Sequence, residues 1–85
     1  MPEISRFYGI TIRMNFNDHN PPHFHAFYQN YEVMINIHTG AVSGNMSKRA
    51  LKMIFEWLEL HQDELLNDWQ LAQDRKSLLK IDPLP

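Results

Sequence analysis

The stretch INIHTGAVSGNMSKRAL, residues 35–51, is where the chain changes its hydrophobic period. Before it, apolar residues alternate with polar ones, which is typical of half-buried strands. After it, apolar residues recur every three or four positions, which is typical of a helix buried on one side. Ser47 lies between the two patterns and is the expected N-cap, because its hydroxyl can accept from free N–H groups of the first turn. The sequence therefore predicts an α+β fold with a sheet followed by helix.

The expected architecture is a three- to four-stranded antiparallel sheet followed by one long bent helix or two helices packed on one face. Alternation predicts strands over residues 8–16, 23–29 and 32–38 and a short fourth strand ending at Gly44. A helical region is expected over 46–76, with a bend near 61–63 where polar residues interrupt the apolar stripe. We expect one domain over residues 1–85, with the sheet in 1–45 and an extended tail at 77–85.

The composition narrows the class of protein. The chain has 85 residues, of which 44% are hydrophobic and 12% aromatic, as in ordinary globular domains. It has no cysteine, so disulfides and thiolate metal sites are excluded. The net charge of −2 makes duplex DNA an unexpected partner. There is no apolar run of membrane-spanning length and no signal-peptide pattern, so we expect a cytoplasmic protein without a membrane partner.

The segment DHNPPHFHAFY, residues 18–28, contains three of the five histidines of the chain and an aspartate, which are residue types that bind metals or transfer protons. Its adjacent prolines interrupt strand pairing, so a turn is expected before the second strand. Alternate residues of that strand form the more apolar set and should face the helices: Phe24, Ala26 and Tyr28. His23 and His25 should then lie on the opposite, helix-free face.

A two-residue turn at Asn30–Tyr31 would set the register of the next strand. His23 would then oppose His38, and His25 would oppose Asn36. The helix-free face would carry a polar set around an apolar patch of Phe27 and Met34. The polar set is Arg13, Asn15, His23, His25, Asn36 and His38.

This face could hold a divalent metal such as zinc. Histidines two residues apart on a strand stand ~6.6 Å apart along one face, which lets their imidazoles converge on an ion. His38 would supply a third nitrogen and leave a fourth position open, as in catalytic zinc sites. His19 or Asp18, on the far side of the prolines, could be the fourth ligand.

Two alternatives need no metal. Paired histidines beside an arginine suit acid–base cleavage of RNA, with His23, His25 or His38 as the titrating groups and Arg13 on the phosphate. Phe27 and Met34 could instead form an interface with a protein partner or a second copy of the chain, since uncovered apolar patches mark such surfaces. Asn15 and Asn36 would belong to the same binding surface.

Longer stretches resemble a known family. The N-terminal MPEISRFYGITIRMNFNDHNPPHFHAFY, then INIHTGAVSGNMSKRAL, EWLELHQDELLNDW and IDPL, are similar to the small bacterial domain-of-unknown-function family 4160. The resemblance covers nearly the whole chain, and DHNPPHFHA is its most specific part. It implies that residues 19 and 21–25 belong to the family signature but gives them no role. It also implies a component of a toxin–antitoxin-like pair, because some members are classed in this way.

Overall fold

The fold is a five-stranded antiparallel sheet followed by one long helix, in a computed structural model that covers residues 1–85. The strands follow one another in the sheet in chain order. The elements are β1 (Glu3–Phe7), β2 (Ile10–Arg13), β3 (His23–Tyr28), β4 (Tyr31–Asn36), β5 (Val42–Gly44) and α1 (Lys48–Gln73). The predicted α+β class is confirmed, with one strand more than expected.

The additional strand is β1, which pairs with β2 through a tight turn at Tyr8–Gly9. Both turn residues have positive φ, 49° and 81°, as two-residue hairpin turns of the mirror-image type require. The single strand predicted over 8–16 is therefore wrong at both ends. It begins at Ile10 and stops at Arg13, and Phe16 lies 45% exposed beyond it rather than in the core.

The hairpin between β3 and β4 turns at Gln29–Asn30, because Tyr28 pairs with Tyr31. The predicted turn was one residue later, so every predicted pair in this hairpin is displaced by two residues. His23 opposes Asn36 and not His38, which lies beyond the end of β4. A displacement of two leaves each side chain on its predicted face, because side chains alternate with a period of two.

Helix α1 begins as expected and bends as expected. Ser47 Oγ accepts from the backbone N–H of Ala50 at 3.1 Å. His61 has non-helical dihedrals (φ −126°, ψ 21°), which divides α1 into two segments at the predicted bend. The Gln62 side chain donates to the carbonyl of Ile37 at 2.8 Å and so fixes the bend to the residue that follows β4.

The core lies between α1 and one face of the sheet. Trp57 is fully buried, and its ring centroid lies 5.3 Å from that of Phe7 and 5.7 Å from that of Phe24. Phe24 and Ala26 are buried as predicted, and Tyr28 packs against the core while partly exposed. The helix therefore covers the face that the alternation of residues in β3 predicts to be buried.

The C-terminal tail returns to the first strand. The N–H of Ile81 donates to the carbonyl of Ile4 at 2.8 Å, and the Trp57 indole donates to the carbonyl of Asp82 at 2.8 Å. The tail thus borders β1 while β5 forms the opposite edge. Helix α1 lacks an apolar segment that could cross a bilayer.

Candidate metal centre

The loop of residues 14–22 between β2 and β3 carries an acidic residue to the histidines of β3. Two hydrogen bonds fix this loop to the C-terminal end of α1. The N–H of Asn17 donates to the carbonyl of Ala72 at 3.0 Å, and Gln73 Nε2 donates to the carbonyl of Asp18 at 3.1 Å. The loop is thereby held across the end of β3, and the Asp18 carboxylate reaches the side chains of His23 and His25.

Asp18, His23 and His25 each offer one ligand atom, and these three atoms lie within 4.8 Å of one another. Asp18 Oδ2 is 3.1 Å from His23 Nε2 and 3.8 Å from His25 Nε2. Tetrahedral bonds of 2.0–2.1 Å separate neighbouring ligand atoms by roughly 3.3–3.4 Å. The spacing therefore fits one metal ion shared by two imidazoles and one carboxylate.

The hydrogen bonds of His23 identify which ring nitrogen can bind a metal. Nδ1 lies 2.9 Å from the carbonyl oxygen of Pro21, and a carbonyl only accepts, so Nδ1 carries the proton. In the neutral ring Nε2 then has a lone pair, and this lone pair faces the Asp18 carboxylate. Two acceptors face each other unless a proton or a metal ion lies between them.

His25 repeats this arrangement in a more buried position. Its side chain is only 9% exposed, and Nδ1 lies 3.3 Å from Glu32 Oε2. Its Nε2 is buried and has no hydrogen-bond partner, because Asp18 Oδ2 at 3.8 Å is too distant. A proton cannot satisfy Nε2 at that distance, whereas a metal ion between the two atoms can. Histidine ligands commonly donate their other N–H to an oxygen in this way.

Asp18 is suited to the role of an anionic ligand. Burial by itself raises its pKa, but hydrogen bonds from the His19 N–H and the Asn15 amide, with the nearby His23, lower the pKa below its ordinary value overall. The carboxylate is therefore ionised at neutral pH. Its other oxygen, Oδ1, accepts from His19 N–H at 2.8 Å, which leaves Oδ2 directed at the two imidazoles.

The cluster opens onto a cleft of about 590 Å³ on the helix-free face of the sheet. Asn36 and Met34 form part of its wall because they directly oppose His23 and His25 in β4. Its lining residues are Asn15, Asp18, His19, Asn20, Pro21, His23, His25, Met34, Asn36, Ala41 and Ser43. Any coordination position that the three ligands leave vacant on the cleft side would be accessible to a small molecule.

The predicted residues are divided between two surfaces. Asn15, His19, Met34 and Asn36 line the cleft with the two histidines of β3. His38 lies outside the three-residue cluster, so the expected triad of His23, His25 and His38 is replaced by one in which Asp18 is the third member.

Arg13 and Phe27 lie together elsewhere on the face. Arg13 opposes His25 in the register, but its guanidinium lies 5.8 Å from the centroid of the Phe27 ring and donates to the carbonyl of Met1. It is therefore directed away from the cleft. The catalytic roles predicted for Arg13 and the histidines stay predictions.

The residue that sequence reasoning missed is Glu32. It is seven positions beyond His25 and outside the motif, and only the hairpin turn at Gln29–Asn30 brings it alongside. In the predicted register Glu32 would have paired with Gln29, farther from His25. The feature that would place Glu32 near His25 is the position of the turn, at Gln29–Asn30.

The chain belongs to the family of domains of unknown function DUF4160, whose model matches residues 9–70. The match includes the loop, β3 and most of α1, so every residue of the candidate centre lies within it. The predicted family membership is confirmed. No curated protein and no solved structure matches the chain significantly.

Proposed function

We propose that this domain binds a first-row divalent metal ion, zinc or iron(II), through Asp18 Oδ2, His23 Nε2 and His25 Nε2. The observation that carries the proposal is the buried Nε2 of His25, which has no partner and is directed at the same carboxylate oxygen as His23 Nε2. Two imidazoles and one carboxylate suit both metals, and a three-ligand set leaves positions for another ligand.

Outer contacts support the same assignment. The Pro21 carbonyl orients His23, and the Glu32 carboxylate orients His25, in each case through Nδ1. Such contacts fix the tautomer in which Nε2 is free to bind a metal. The metal would give the cleft an electrophilic centre, and the two neutral imidazoles with one carboxylate would leave it a net positive charge.

The experiment is zinc titration of protein purified without a histidine tag, followed by calorimetry and elemental analysis. We expect one equivalent of zinc per chain. His23→Gln, His25→Gln and Asp18→Asn should each weaken zinc binding by at least ~100-fold, since loss of even an outer contact costs 10–100-fold. His38→Gln is the matched control, because His38 is exposed and outside the cluster.

Two results would overturn the proposal. One is the absence of stoichiometric zinc or iron(II) binding by the folded wild-type protein. The other is an equal loss of affinity in His38→Gln, because the bound ion would then not be held by the Asp18 cluster alone. Far-ultraviolet circular dichroism of each variant separates loss of the site from loss of the fold.

The other roles inferred from sequence have less support. RNA cleavage in a toxin–antitoxin-like pair needs a cation for the phosphate, and the Arg13 guanidinium is directed away from the cleft. A protein-interaction surface or homo-oligomer contact has support from Met34, which is 41% exposed. Both roles stay predictions. If expression of the protein arrests growth and His25→Gln abolishes the arrest, the toxin role is favoured.

A further inference from the structure

Asn36 presents an unused hydrogen-bond donor beside the candidate metal centre. Its Oδ1 accepts from the backbone N–H of His38 at 2.8 Å and of Thr39 at 3.0 Å. Because both partners are donors, the oxygen must occupy that side of the amide, and this settles the orientation of the side chain. Nδ2 is then left without a hydrogen-bond partner in the protein, on a residue that lines the cleft directly opposite His23.

The charges in the cleft limit the ligand to a small net charge. Asp18 is the one acidic residue among those that line it, and there is no lysine or arginine. A divalent ion with the Asp18 carboxylate and two neutral imidazoles carries a net charge of +1, and the Glu32 carboxylate beside His25 Nδ1 reduces the positive potential further. A monoanion can bind a metal ion at this low net charge, whereas a phosphate dianion would add a second negative charge and find no cationic side chain to pair with.

The apolar part of the cleft suggests what the anion is attached to. Met34 and Ala41 are the two hydrophobic residues in its wall. Met34 opposes His25 on one side and Ser43 on the other, so it lies in the same row of the sheet as the metal ligand. An aliphatic group next to the anionic end of a ligand would contact these two side chains.

We propose that the cleft binds a small aliphatic monocarboxylate, with one oxygen on the metal ion and the other accepting from Asn36 Nδ2. This inference rests on the proposed function, since it requires the metal ion at Asp18, His23 and His25. It adds the class of ligand and makes Asn36 the residue that selects it.

The test uses the full chain loaded with cobalt(II), whose visible spectrum reports changes in coordination, titrated with propionate and separately with inorganic phosphate. We expect propionate to shift the spectrum and to bind at least tenfold more tightly than phosphate. Asn36→Asp keeps an oxygen for the two turn N–H groups but replaces the donor by an acceptor. It should weaken propionate binding by roughly tenfold or more, as loss of a hydrogen bond to a charged group does.

Asn45→Asp is the control matched for charge, because Asn45 is exposed and lies outside the cleft. It should retain most of the propionate affinity. Equal losses in the two variants, or phosphate binding as tight as propionate binding, would overturn the inference about Asn36 and carboxylates. Metal binding without any propionate binding overturns this inference alone, whereas the absence of metal binding overturns the proposed function with it.

Discussion

Glu32 shows how one residue distant in sequence can determine the state of another. Its Oε2 lies 3.3 Å from His25 Nδ1, although the Glu32 side chain is itself 52% exposed. Because the carboxylate accepts a hydrogen bond from Nδ1–H, it favours the tautomer of His25 in which Nε2 has a lone pair. The exposed glutamate thereby leaves a lone pair on a buried nitrogen, which the proposed metal site requires.

We predict that Glu32→Gln weakens zinc binding by roughly tenfold, since outer contacts of this kind contribute 10–100-fold to metal affinity. The free energy of unfolding of the metal-free protein should change little, because the Glu32 carboxylate is half-exposed and exchanges its contact with His25 for contacts with water. Zinc titration and urea denaturation measure the two quantities. Glu59→Gln, at an exposed helix position, is the control, and unchanged zinc affinity in Glu32→Gln would contradict the assignment.

At the scale of single elements, α1 contains a buried acidic residue on its core-facing side. Asp68 is 1% exposed; its Oδ1 accepts from the N–H of Leu79 at 2.9 Å, and Oδ2 has no partner. Burial raises the pKa of Asp68 above its ordinary value, the hydrogen bond from Leu79 lowers it in part, and the charge of Glu64 raises it further. The helix is anchored to the tail by a carboxylate that binds its proton more tightly in the folded state than in the unfolded chain.

This raised pKa predicts a pH dependence of stability. The folded protein holds more protons than the unfolded chain between the ordinary pKa of 3.8 and the raised value, so the contribution of Asp68 to stability falls as pH rises through this window. Asp68→Asn keeps the acceptor for Leu79 and removes the charge. Relative to the wild type, this variant should gain stability as pH rises from 4 to 7.

Urea denaturation at a series of pH values measures that difference. Asp63→Asn is the matched control, since it makes the same substitution at an exposed position of the same helix, and the change with pH should be larger for Asp68→Asn. A constant difference between Asp68→Asn and the wild type would contradict the prediction.

The elements differ in how far their sequences specify them. Ser47 and the interruption near His61 mark the start and the bend of α1 by local chemistry, so both could be predicted. β1 could not, because a register irregularity between Glu3 and Ser5 places Ile4 and Ser5 both in buried positions and removes the alternation.

The neighbours of each side chain in the candidate site were harder to predict than the face of the sheet on which it lies. Turns at Gln29–Asn30 and at Asn30–Tyr31 give registers that differ by two residues, and both put the same side chains on the same face. Alternation therefore identifies the histidine face but not which side chains are neighbours. Asp18 was available as a ligand from the motif, but its position depends on contacts with α1 that lie 55 residues away along the chain.

At the scale of the whole molecule, the candidate centre depends on the end of the helix. Gln73 Nε2 donates to the Asp18 carbonyl at 3.1 Å, and Trp69, on the last turns of α1, has its ring centroid 5.2 Å from that of His23. The acidic ligand and one imidazole are both positioned by α1, although the cleft is on the other face of the sheet.

We predict that Gln73→Ala weakens zinc binding by roughly tenfold without unfolding the protein, because it removes one of the two hydrogen bonds that join the loop of residues 14–22 to α1. Zinc titration with circular dichroism measures both effects. Gln70→Ala, one turn earlier and exposed, should leave the affinity unchanged. Equal zinc affinity in the two variants would show that the loop does not need the helix.

The docking of the tail on β1 affects the order in which this chain can mature during synthesis. The Ile4 carbonyl accepts from Ile81 and the Trp57 indole donates to Asp82, and both of these residues are translated after the whole sheet and α1. While these residues are still inside the ribosomal exit tunnel, the outer edge of β1 lacks the Ile81 hydrogen bond and is open to other strands. A nascent chain would therefore keep one exposed strand until Ile81 and Asp82 leave the tunnel, and their docking would be the step that closes it.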